Sequence, residues 1–98
     1  MQENPFHVVL VVFEIHLPYC QSLKDKRMVL RRLKDRISNK FNVAIAEVAH
    51  QDSWQRSQLA CTSLSTDKKR LQQLQSQIEA MVMENLDGEL IYCDMEWL

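Results

Sequence analysis

The stretch His50-Gln51-Asp52-Ser53-Trp54-Gln55-Arg56 concentrates side chains that hydrogen-bond, stack or carry charge. Loops that carry function have this make-up. A tryptophan in a polar connection is costly unless it packs or recognises something. Two uses follow. Trp54 could anchor a partner while Gln55 lines the same loop and Asp52 and Arg56 fix polar groups. Alternatively, Trp54 folds over the end of a sheet and Asp52 pairs with Arg56 to hold the loop. His50 and Asp52 also have the types of a general base and its orienter, although an i, i+2 spacing does not by itself bring them into contact. Glu14 and His16 repeat that spacing on a strand. Neither group has the paired, four-ligand spacing of a metal centre. No metal, cofactor or catalytic residue is therefore expected, and the chain reads as a non-enzymatic binding module.

Charge supplies the second candidate. Residues 24–40 hold eight bases and two acids, a formal surplus of +6, while residues 79–98 hold six acids and no base. Net charge is only −1. Asymmetry of this kind can mark a partner surface, and its alternative is a solvated helix face near an acidic strand. Lys24, Arg27, Arg31 and Lys34 fall on one flank of a helix, at i, i+3, i+7 and i+10. Lys26 points nearer the apolar stripe, so its stem is expected along the rim of the sheet.

The elements that must position these residues follow from hydropathy. Residues 8–17, VVLVVFEIHL, are β-branched and apolar on both faces, which places a strand centrally in a sheet. Pro18 ends it. Ser22 with Asp25 resembles a capping box opening a helix, whose stripe is Leu23, Leu30, Leu33, Ile37 and Phe41. Residues 43–50 and 58–65 read as two further strands. Thr66 or Asp67 caps a second helix running to about Leu86, and Asp87-Gly88 stops it. Residues 89–97 alternate as a last strand with Ile91, Cys93, Met95 and Trp97 inward. The order βαββαβ predicts an α+β, ferredoxin-like sandwich, with two helices on one face of a four-stranded antiparallel sheet. Val8, Leu10 and Val12 should then line the uncovered face, a candidate interface for a homodimer.

Composition bounds what else is possible. Ninety-eight residues, 46% apolar and 26% charged, suit one globular domain spanning 1–98. The single glycine, Gly88, excludes glycine-rich phosphate loops and dinucleotide fingerprints. Six consecutive apolar residues, Val8 to Phe13, are too few to span a bilayer, which takes about 20, so no membrane partner is expected. Three widely spaced cysteines, Cys20, Cys61 and Cys93, without a CxxC pair suit a reducing, cytoplasmic setting.

Three ordered motifs carry a family resemblance. Ser22-Leu23-Lys24-Asp25-Lys26-Arg27, Phe41 to Val48 (FNVAIAEV), and His50-Gln51-Asp52 with Trp54-Gln55-Arg56 resemble the YlxP-like family, small uncharacterised bacterial proteins classed as a domain of unknown function. The resemblance covers about residues 7 to 97; Tyr19, Cys20, Ala49 and Ser53 depart from the pattern expected of the family. It implies a ferredoxin-like αβ sandwich and no established activity. Genes of the family often lie among those for translation initiation and ribosome maturation factors, which implies a link to RNA or the ribosome by association.

RNA-recognition domains of this topology stack bases on aromatics of their central strands. Here Phe13 falls on the helix side, and the third strand has no aromatic. RNA would therefore meet the basic flank Lys24, Arg27, Arg31 and Lys34 through its phosphates, with Trp54 and Arg56 adding a local contact. The alternative is a protein-interaction module, self-associating through the open sheet face or the edge of the second strand.

Overall fold

The computed structural model describes residues 5–98. Strand β1 spans His7–His16, helix α1 Leu23–Lys40, β2 Ala44–Ala49, β3 Arg56–Ser65, α2 Lys68–Gln72, α3 Leu74–Asn85 and β4 Glu89–Trp97. The four strands form one antiparallel sheet in the order β2-β3-β1-β4. This is the ferredoxin-like α+β arrangement, with the helices on one face and β1 and β3 central.

The alternation of β1 divides its two faces. Val9, Val11, Phe13 and Ile15 are fully buried beneath the helices. Leu30, Leu33 and Ile37 of α1, Leu59 and Cys61 of β3, and Leu71, Leu74, Ile78 and Val82 of α2 and α3 close the same core. Burying a side chain of this kind stabilises the fold by about 1.5–3 kcal/mol. Val8, Leu10 and Val12 lie half-buried on the opposite face.

Helix α1 begins as its sequence demands. The Ser22 hydroxyl accepts from the Asp25 amide at 3.0 Å, and the Asp25 carboxylate accepts from the Gln21 amide at 3.0 Å. The reciprocal bond thus reaches one residue further back than in a standard capping box. The second helix is not continuous. It divides at Gln73 into α2 and α3, although its buried stripe of Leu71, Leu74, Ile78, Met81 and Val82 runs across the division. Asp67, rather than Thr66, caps it by accepting from the Arg70 amide.

Two register shifts change which residues point where. In β4, Glu14 pairs with Tyr92 and Ile15 with Leu90, so Ile91 is an extra residue. The bulge reverses the alternation beyond it. Leu90 therefore packs on the core and Ile91 is exposed, contrary to the inward position expected of Ile91. In β2, Val48 is the extra residue between Glu47 and Ala49, and it too is exposed. Gly88 is required at the entrance to β4, because a Cβ there would collide with the His16 carbonyl oxygen. Among the described residues, no helix is long and apolar enough to cross a membrane.

Candidate functional site

The end of the sheet where β1 and β2 finish and β3 begins carries two polar clusters, one on each face. Lys26, in the second turn of α1, makes the helix-side cluster. It sits on the buried side of α1 among leucines, so its stem crosses the core and its ammonium emerges at the loop between β2 and β3. Lys26 is 1% exposed. Its Nζ lies 3.0 Å from the Glu47 carboxylate and donates to the carbonyls of His50 at 2.8 Å, Arg56 at 3.3 Å and Gln51 at 3.4 Å. Ser57, fully buried, donates to the same oxygen of that carboxylate, Oε2, at 2.6 Å. A buried ammonium is tolerated only when its donors are met in this way. Lys26 does not lie along the sheet rim as its helical position suggested; it is a brace for the loop.

The second cluster occupies the uncovered face. Glu14 of β1 accepts from the Arg56 guanidinium at 2.8 Å, and His50 Nε2 lies 3.0 Å from its other oxygen. The hydrogen bond from Arg56, then that from His50, hold the Glu14 carboxyl below its ordinary value, against the opposing effect of burial. Arg56 therefore pairs with Glu14, not with Asp52. His50 likewise meets Glu14, so Glu14 takes the place expected for Asp52 beside the imidazole. Asp52 is exposed. Gln58 of β3 and Tyr92 of β4, which flank Glu14 in the register, join over β1, and His16 approaches Glu89 at 3.8 Å.

The loop between these clusters is pinned at nearly every residue. His50 adopts φ 64°, a left-handed conformation that an L-residue takes up only when its surroundings hold it. The Ser53 amide donates to the His50 carbonyl at 3.0 Å, and the Ser53 hydroxyl accepts from the amides of Gln55 and Arg56. Gln55 reaches the preceding loop: its amide side chain donates to the carbonyls of Pro18 and Cys20, and its own carbonyl accepts from the Leu17 amide at 2.8 Å. Trp54 stands among these fixed neighbours with 53% of its surface exposed. Tyr19, on the loop that Gln55 grips, is 75% exposed.

The basic flank begins beside this loop. Lys24, Arg27 and Arg31 are exposed and Lys34 is half-buried. Among the described residues none of the four makes an ion pair, while Lys26 and Arg56 both do. The opposite flank of α1, with Arg32 and Arg36, faces Asn85, Leu86 and Asp87 beyond α3. The flank of Lys24, Arg27, Arg31 and Lys34 consequently looks away from α3, toward the free edge of β2.

The remaining candidates are less suited to chemistry. Cys61 and Cys93 are pushed up to about 12 and about 11, mainly by burial, and burial raises Cys20 as well. Thiols held protonated in this way are poor nucleophiles. A cavity of about 590 Å³ lies at the other end of the sheet between Lys40, Ser63, Ser65 and Arg70. No group of three or more metal-ligating side chains occurs among the described residues. On the uncovered face, the partners of Leu10 and Val12 in β4 are Glu96 and Asp94, so the apolar strip expected there is bordered by carboxylates.

Comparison with known proteins agrees with this architecture. The C-terminal segment of the alpha subunit of aIF2 from Pyrococcus abyssi superposes on 98% of the chain with a TM-score of 0.53 at 17% identity, and the chain spans about half of that segment, 51%. The de novo designed protein Ferredog-Diesel matches 98% of the chain and 87% of its own length, with a TM-score of 0.51 at 13% identity. At such identities these likenesses concern the fold alone. In sequence, the chain is 34% identical over 76 residues to the uncharacterized protein YlxP of Bacillus subtilis (strain 168), covering 78% of this chain and 83% of that relative. Residues 8–95 match the model of the family described as "Protein of unknown function (DUF503)". The chain belongs to that family.

Proposed function

We propose that this protein is a non-enzymatic RNA-binding module whose docking surface is the basic flank of α1. The observation that carries this reading is the contrast among its bases. Lys26 and Arg56 face carboxylates, whereas Lys24, Arg27, Arg31 and Lys34 present a row of cations with no ion pair among the described residues. Unneutralised cations at helical spacing suit a phosphate backbone, where each contact releases condensed counterions. The sheet face is a poor alternative path for RNA, since Asp94 and Glu96 border it. Four phosphate contacts imply a slope of log affinity against log salt of about −3.

Cross-linking in cells, followed by sequencing of the RNA that copurifies, tests the reading directly. Ribosomal RNA is expected with the wild-type protein and its loss is expected in a variant carrying K24E, R27E, R31E and K34E. Recovery of no RNA from the wild type overturns the proposal. The free β2 edge and the half-buried Val8, Leu10 and Val12 would then favour self-association, read as a dimer mass by light scattering.

A further inference from the structure

We infer that the surface prefers single-stranded RNA, with an unpaired base stacked on Trp54 while the α1 flank holds the adjoining phosphates. This rests on the RNA-binding reading above and adds the class of RNA. Three observations carry it. Trp54 is half-exposed although its neighbours Ser53, Gln55 and Arg56 are hydrogen-bonded in place. The loop needs no further ordering when a ligand arrives, so a stack on its ring costs little conformational entropy. Tyr19, exposed on the loop that Gln55 ties to Trp54's own, gives this end of the molecule a second aromatic.

Helix and loop also form one unit. Lys26 bonds three carbonyls of the 50–56 stretch, and its neighbours Lys24 and Arg27 stand on the exposed flank of the same turns. The cation row and the main chain on either side of Trp54 are therefore tied together by a buried side chain. Trp97 provides the contrast. It lies at the other end of the sheet, where Lys68 sits 5.4 Å over its ring and His7 packs against it edge-on at 6.3 Å. One tryptophan already has partners for its ring and the other presents it to solvent. Stacking on an exposed aromatic requires a base free of its own stack, which a duplex does not offer.

The test uses the full chain with W97F, leaving Trp54 as the single tryptophan, titrated with a 12-nucleotide oligouridylate and with a 12-base-pair RNA duplex. The single strand is expected to quench Trp54 emission and the duplex to leave it unchanged. In anisotropy titrations W54A should weaken single-strand binding about tenfold with an unaltered salt slope, and W54F should recover most of the loss. Arg31→Glu should instead lower the salt slope by about 1. Single-strand binding without quenching, and unaffected by W54A, overturns the stacking inference and leaves the phosphate-led reading standing. Absence of low-salt binding to either RNA overturns both.

Discussion

The two clusters at this end of the sheet are built from the same parts, a cation, a carboxylate and a hydrogen-bonding neighbour, but they differ in their access to water. On the helix side the Lys26 and Glu47 side chains are 2% and 18% exposed. On the open side Glu14 is 10% exposed, His50 32% and Arg56 55%. A dry ammonium cannot exchange its partners for water without opening the core, so Lys26 is committed to bracing the loop. A guanidinium half in water can leave its carboxylate at small cost. The same loop thus receives a rigid main chain from one side and adaptable side chains from the other.

Removing Lys26 should break this contrast most severely. Lys26→Met leaves Glu47 without its cation and three carbonyls without their donor, and a loss of about 3 kcal/mol is expected by urea denaturation. A loss below about 1 kcal/mol would erase the distinction between brace and surface pair. A smaller effect should come from the backbone at His50. His50→Ala and His50→Gly both remove the imidazole from Glu14, but only glycine relieves the φ of 64°. The glycine variant should therefore be the more stable by about 1 kcal/mol in the same measurement. Equal stabilities would mean that the left-handed turn carries no cost.

The smallest effect belongs to the wet cluster and depends on pH. Glu14 has a folded pKa below its ordinary 4.5. Its ionised form therefore stabilises the fold fully above that ordinary value, and the contribution is lost as pH falls through the lowered folded value. Wild type should exceed Glu14→Gln in melting temperature near pH 7, and the difference should close in acid, where both side chains are neutral. A gap that persists in strong acid would show that Gln disturbs packing rather than charge.

These contrasts separate what local pattern reveals from what it does not. The β1 alternation, the α1 stripe and the Ser22–Asp25 cap involve residues within a turn or a strand of each other, and each was legible as written. The partners of Lys26 lie 21 to 30 positions away, and Arg56 meets Glu14 across 42. Spacing along the chain carries no record of such pairs, so Asp52 was the nearer acid for both Arg56 and His50 and the wrong one. Ile91 failed for another reason: alternation assumes an unbroken ladder, and one extra residue in β4 reverses it. The polar neighbours of Trp54 allowed two readings, and its half-exposure depends on contacts of the folded loop that local spacing does not encode.

The sheet order also has a consequence for how the molecule meets other charged bodies. Lys26 ties α1 to β2 at one edge, while β4, with Glu89, Asp94 and Glu96, forms the other. Positive and negative charge are therefore drawn to opposite margins of a chain whose sum is −1. Far away, a polyanion would feel only a weak repulsion from that sum. Within a Debye length, about 8 Å at physiological salt, separated charge exerts a torque, and the molecule should turn its β2 margin toward the polyanion before contact. Orientation before contact shortens the search for a productive encounter, and added salt would remove that advantage from the association rate first.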